Sequence, residues 1–69
     1  MTRTIEVDPV GGTNAAGPAA RWARGRLDDL QIYDVGIGAA PMDNGNVRIL
    51  LDSDDAGKLD RAVDSLLRG

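Results

Sequence analysis

Cysteine and histidine are both absent from the 69 residues of this chain. Without cysteine the protein can form neither disulfides nor thiolate metal sites. Without histidine it lacks the commonest metal ligand and the commonest general base. These absences remove much of the chemistry of metalloproteins and hydrolytic enzymes, and we expect no bound metal or other cofactor.

Long apolar runs and an excess of basic charge are also missing. No run approaches the length of a membrane span or of a signal-peptide core, so a cytoplasmic protein without membrane contact is expected. Eleven acidic residues against eight basic ones give a net charge of −3. A general nucleic-acid binder is normally basic, so this balance argues against nucleic acid as the partner.

The length of the chain allows one domain only, and we expect a single small α+β domain over residues 1–69. A chain of this size buries only about 60% of its unfolded surface, which leaves a thin core. Small domains of this kind often gain stability from disulfides, metals or a partner. Since disulfides and thiolate metal sites are excluded here, the composition leaves a partner subunit or modest stability.

The segment 30–51 organises the predicted fold. Two apolar, β-rich runs flank the turn-forming residues 41–46, whose Asn-Gly pair is a strong hairpin signal. The first strand is predicted over about 30–39, with a β-bulge near 33–34 where its apolar alternation changes parity. The second, 47–52, is the most apolar segment in the chain and is predicted to be central in its sheet.

The hairpin has two candidate registers. A two-residue turn at 44–45 pairs Met42 with Val47, whereas a seven-residue loop pairs Ala39 with Val47. We prefer the longer loop because it gathers the large apolar side chains on one face and takes Pro41 out of the ladder. The choice matters, since a slip of one residue turns a whole strand face from core to solvent.

Two amphipathic helices are predicted on either side of this hairpin. The first spans about 17–29, and the second spans about 54–68 with Ser53 as its N-cap. The apolar stripe of the first consists of Ala20, Ala23, Leu27 and Leu30. The stripe of the second consists of Ala56, Leu59, Val63 and Leu66.

Residues 4–8 alternate polar and apolar side chains and supply the remaining strand, so the element order is β-α-β-β-α. A right-handed crossover places the first two strands parallel with a gap between them, and the third strand fits that gap. The sheet order is then 1-3-2, with both helices on one face. This two-layer α+β sandwich resembles a ferredoxin-like split βαβ unit that lacks its last strand.

A loop between the first strand and the first helix contains Gly11, Gly12, Thr13 and Asn14. Backbone N–H groups in such a loop can hold a phosphate, which makes these residues a candidate phosphate or nucleotide site. The glycine spacing matches neither a P-loop nor a dinucleotide fingerprint. A plain connecting loop is the favoured interpretation.

One basic cluster consists of Arg21, Arg24 and Arg26 beside Trp22. Arginine next to an aromatic ring can bind nucleic acid or an acidic protein surface. The alternative is a solvated helix face on which Arg24 pairs with Asp28 one turn away. The acidic balance of the whole chain favours the alternative.

Two groups of oxygen ligands, at 43–46 and 52–55, invite comparison with calcium or magnesium sites. Their sequences are better explained by turn and helix-cap chemistry, and we predict no metal site. No nucleophile and base can be paired from the serines, threonines, Tyr33 and Lys58. We therefore do not expect an enzyme.

Our leading hypothesis for function is a small non-enzymatic protein-interaction module, either a homodimer or the ligand of a partner protein. Inhibitors encoded by phages or mobile elements are one class of such proteins. The expected contact surfaces are the edge strand over 3–8 and an uncovered sheet face around Gly36, Gly38 and Leu50. Ligand or nucleotide sensing at the 11–14 loop, and nucleic-acid binding by the three arginines, stay open as alternatives.

Overall fold

The computed structural model describes residues 1–68, which form three strands and two helices. The strands are β1 (Thr2–Val7), β2 (Gly36–Pro41) and β3 (Val47–Asp52), and the helices are α1 (Ala16–Asp29) and α2 (Ala56–Arg68). β3 lies between β1 and β2 and is antiparallel to both. Both helices pack on one face of the sheet. The predicted α+β sandwich with strand order 1-3-2 is confirmed.

The central strand β3 alternates strictly between core and solvent. Val47, Ile49 and Leu51 are fully buried under the helices, whereas Arg48 and Leu50 point to the uncovered face. Leu50 is 43% exposed. The sequence-based expectation that Leu50 is much more exposed than its two neighbours is therefore correct.

The hairpin register differs from both candidates. Ala39 pairs with Ile49 and Pro41 pairs with Val47, so the connection has five residues and the preferred register was wrong by two. A shift of two residues keeps every side chain on its predicted face. Proline is tolerated in β2 because the next pair, joined by Met42 N–H to the Asn46 oxygen at 2.9 Å, is the hydrogen-bonded one.

The segment 30–35 is a loop and not the start of β2, so the predicted strand start and its bulge were wrong. Helix α1 ends in a Schellman motif, in which Ile32 N–H donates to the Leu27 carbonyl at 2.8 Å. Gln31 takes the left-handed conformation of that motif, with φ of 58°. Glycine usually occupies this position, so the sequence carried no recognisable stop signal there.

The apolar stripe of α1 is rotated slightly from the predicted one. Ala19, Ala23 and Leu27 are fully buried, Ala20 is only half-buried, and Leu30 is 51% exposed. Leu30 lies outside the stripe because the Schellman turn ends the helix before it. The core under α1 is therefore built from two alanines and one leucine, which lets the helix approach the sheet closely.

Helix α2 begins at Ala56, two residues later than predicted. Its cap is Asp55, whose carboxylate accepts the Lys58 N–H at 3.0 Å, and not Ser53. The Ser53 hydroxyl instead accepts the Asp55 N–H at 3.1 Å and holds the turn before the helix. The fully buried positions of α2 are Leu59, Ala62 and Leu66, while Ala56 is exposed and Val63 is half-buried.

Candidate functional site

The outer edge of β1 is a row of free backbone groups. Ser53 N–H donates to the Met1 carbonyl at 3.0 Å, which fixes the phase of the ladder between β1 and β3. The alternation of an antiparallel pair then directs the N–H and C=O groups of Thr2, Thr4 and Glu6 away from β3. Among residues 1–68 no strand pairs with this edge. β1 is therefore able to accept a further strand.

The outer edge of β2 is obstructed at both ends. The same alternation directs the backbone groups of Val35, Ile37, Ala39 and Pro41 outward. The Val35 carbonyl already accepts a hydrogen bond from Arg24 Nη2 at 2.9 Å. Pro41 has no N–H to offer, and proline at an edge blocks strand addition. Only two residues of this edge keep both backbone groups available.

An open groove of about 470 Å³ lies at the end of β1. We call it the edge groove and define it by its apolar residues, which are Val7, Pro9, Val10, Trp22 and Leu67. Leu67 is 57% exposed, and the Trp22 ring is half-buried. A segment added to β1 would therefore find an apolar pocket beside the ladder.

Charges along β1 are separated by sign. Arg3 lies near the start of the strand and forms an exposed ion pair with Asp60 at 3.2 Å. Glu6 and Asp8 lie at the other end, beside the edge groove. The acidic side chains are thus confined to one end of the strand, and the charge of Arg3 at the other end is already paired with α2.

Glu6 is tied to the loop between β2 and β3. The side-chain amides of Asn46 and Asn44 donate to its carboxylate, at 2.6 and 3.1 Å. These hydrogen bonds, that of Asn46 first, hold the pKa of Glu6 below its ordinary value of 4.5. The carboxylate is therefore ionised at neutral pH and fixed in position on the open face.

The predicted open-face residues Gly36, Gly38 and Leu50 lie together on the side of the sheet that the helices leave uncovered. A Cβ added to Gly38 would lie 3.8 Å from Leu50 Cβ, so the glycine is not required by close packing. Leu50 is the one large apolar side chain that the three strands present there. Leu50 lines a shallow pocket there together with Gly38, Ala40 and Arg48.

The arginine cluster is divided by the helix. Arg21 and Arg24 line a shallow groove with Ile37 on the β2 side of α1. Trp22 instead lines the edge groove, and Arg26 lies about 200° around the helix from Arg24. Arg24 bonds the Val35 carbonyl and forms no ion pair with Asp28, contrary to the prediction. The structure does not bring these four side chains to one surface.

The loop residues Gly11, Gly12, Thr13 and Asn14 form a tight turn that is closed by its own hydrogen bonds. Gly11 and Gly12 have φ of 64° and 79°, a conformation that favours glycine. Thr13 N–H donates to the Val10 carbonyl at 3.3 Å, and the Asn14 amide donates to the Met42 carbonyl at 3.4 Å. Two of the donors that could have met a phosphate are therefore already engaged.

The two hydroxyls considered for nucleophilic chemistry also have structural partners. Ser53 accepts the Asp55 N–H, and the Ser65 hydroxyl donates to the Ala62 carbonyl at 2.9 Å. In the part of the chain that the structure describes, no three acidic side chains come together as they would at a metal site.

Sequence reasoning identified the β1 edge but missed the edge groove. Trp22 was assigned to the arginines, although its ring packs toward β1. Leu67 follows Leu66 directly and lies outside the predicted α2 stripe. An apolar residue at that position was the available signal for an exposed apolar surface.

No family model, curated protein or solved structure matches this chain. No helix among residues 1–68 is long and apolar enough to cross a membrane. The geometry defines a small α+β sandwich with one open and one obstructed sheet edge.

Proposed function

We propose that this protein is a small non-enzymatic interaction module, which binds an extended protein segment at the outer edge of β1. One observation carries the proposal. The row of free backbone groups of Thr2, Thr4 and Glu6 ends at an apolar groove, whereas the other edge of the same sheet is obstructed. Strand addition combines main-chain hydrogen bonds with pockets for alternate side chains.

The bound segment would present its residues alternately to two different environments. On the helix side it would meet the edge groove and the exposed Leu67. On the open side it would meet the threonine hydroxyls of β1 and the carboxylate of Glu6. Each added backbone hydrogen bond contributes about 1 kcal/mol net, so specificity would come from these side-chain contacts.

The non-enzymatic part of the proposal is supported by the absence of histidine and cysteine and by the structural use of Ser53 and Ser65. A cytoplasmic location and a role as an inhibitor of a host protein belong to the same proposal. Nucleotide sensing and nucleic-acid binding remain predictions that no contact favours. Thermal-shift screening with nucleotides and a salt-dependent gel shift test them.

Selection from a displayed library of short, unstructured peptides tests the proposal. We expect selected peptides to bind the wild-type chain and to lose at least tenfold in affinity on Thr4→Pro, which removes one outward N–H. The matched control is Ala39→Pro, which removes an outward N–H from the β2 edge. Circular dichroism establishes that both variants are folded.

Peptides that bind Thr4→Pro as well as wild type would contradict strand addition at β1. A library that yields no binder at a protein concentration where light scattering shows only monomer would contradict the interaction module itself. Chemical-shift changes confined to the β1 amides on peptide binding would support it independently of either variant.

A further inference from the structure

We propose that the segment bound at the β1 edge is β1 of a second copy of this chain. The two strands pair antiparallel across a two-fold axis, and the two three-stranded sheets join into one continuous sheet. This inference rests on the proposed function and names its partner.

Charge distribution is the first argument for a second copy. Glu6 and Asp8 lie at the end of β1, and Thr2 and Thr4 lie at its start. Antiparallel pairing about a two-fold axis places the acidic end of each strand beside the uncharged threonines of the other on the open face, so no carboxylates need to meet. Arg3 lies on the helix side, where it pairs with a carboxylate of α2 in its own chain.

The phase of the ladder restricts the register. The outward backbone groups belong to the even-numbered residues, so even residues must pair with even residues. If the two-fold axis passes beside Glu6, the Glu6 carboxylates of the two copies lie opposite each other. If it passes beside Thr4, three pairs of residues are hydrogen-bonded.

Centring the pair on Ile5 gives the longest overlap, because Thr4 then faces the partner's Glu6 and Thr2 faces the partner's Asp8, one residue beyond β1, each contact being made twice. Threonine hydroxyls then lie opposite carboxylates on the open face. On the helix side, Ile5 meets its own symmetry mate. The structure therefore favours this register.

Apolar exposure is the second argument. Met1 and Leu67 are the most exposed large apolar side chains, at 61% and 57%. Met1 lies on the same side of β1 as Arg3, and Leu67 lies in the edge groove at the other end of the strand. In the antiparallel pair the start of one strand lies along the groove of the other. Each copy thus covers the apolar surface that its partner leaves exposed.

The obstructed β2 edge is the third argument. A sheet with two open edges can add copies without limit, whereas Arg24 and Pro41 obstruct addition at β2. Because each chain has only the β1 edge available, two chains that pair through β1 leave no open edge for a third. The assembly is therefore a closed dimer and not a filament.

Light scattering and sedimentation equilibrium test the proposal. At roughly 100 μM we expect the mass of a dimer, since even a micromolar complex is mostly formed at that concentration. Thr4→Pro should shift the chain to monomer, and Ala39→Pro should leave the dimer intact. Thr4→Glu, which places a carboxylate opposite the partner's Glu6 in the favoured register, should weaken dimerisation by about tenfold.

Amide hydrogen exchange of the wild-type chain provides a readout that needs no variant. Thr2, Thr4 and Glu6 should become protected as the concentration rises, while Ile37 and Ala39 should not. A dimer that protects β2 or the face around Leu50 would overturn the proposal. So would a monomer at 100 μM, but if library peptides still bound in a Thr4-dependent way, the interaction module would stand with a different partner.

Discussion

The two outer strands of the sheet have the same length and pair with the same central strand, yet their outer edges differ. β1 offers free backbone groups over its whole length, whereas β2 is obstructed by Arg24 at one end and by Pro41 at the other. Hydrogen-bonding capacity alone does not decide which edge can bind. What decides it is whether a neighbouring side chain or a proline has already removed that capacity.

Truncation of buried leucines tests whether the two outer strands also differ in how tightly the helices pack on them. Leu27 of α1 packs on the β2 side and Leu59 of α2 on the β1 side, and both are buried. We expect Leu27→Ala and Leu59→Ala each to lower the free energy of unfolding by about 2–4 kcal/mol. Urea denaturation measures both.

Leu30→Ala is the control for the core variants because Leu30 is mostly exposed, and it should change the free energy of unfolding by less than about 1 kcal/mol. A much smaller loss for Leu59→Ala than for Leu27→Ala would show that the β1 side is weakly packed. The β1 and β2 sides of the sheet would then differ in core packing as well as in the availability of their edge backbone groups.

Removal of the Arg24 guanidinium sharpens the comparison at the β2 edge. Arg24→Ala frees the Val35 carbonyl, and the lost hydrogen bond should lower the free energy of unfolding by about 1 kcal/mol. Arg21→Ala, a neighbouring arginine without such a contact among those described, should change it by less than about 0.5 kcal/mol. Equal effects of the two variants would mean that the hydrogen bond to Val35 is unimportant in solution.

The smallest effect concerns Glu6 and depends on pH. Its pKa is lowered in the folded chain by the amides of Asn46 and Asn44, so the stabilisation is present above the ordinary pKa of 4.5. It is lost as pH falls through the lowered folded value. Glu6→Gln should reduce the melting temperature slightly at pH 7, and the difference from wild type should vanish in acid. A difference that grew on acidification would have the wrong sign for this account.

Much of the fold follows from periodicity. The high apolar content of 47–52 predicted the central strand, and the element order predicted the 1-3-2 sheet and therefore the β1 edge. The register was missed because Pro41 can lie in a ladder when its missing N–H faces outward. The end of α1 near residue 29 was predicted, but the loop after it was missed because Gln31 takes a left-handed position where glycine is the usual signal.

The obstruction of β2 was beyond the reach of the sequence. It depends on a contact between Arg24 and the Val35 carbonyl, and that contact exists only because the 30–35 loop turns back against α1. An i, i+4 pair with Asp28 was the simpler expectation from helix geometry. The edge groove was missed for a similar reason, since it joins Trp22 and Leu67 from two helices that are distant in the chain.

The strand order also has a consequence for synthesis of the chain. β3 is made after both of its neighbours, and Thr2 pairs with Asp52, so β1 has no partner within its own chain until the hairpin has left the ribosome. At about 5–20 residues per second this interval lasts several seconds. The nascent chain therefore carries β1 with both edges unpaired until β3 has emerged.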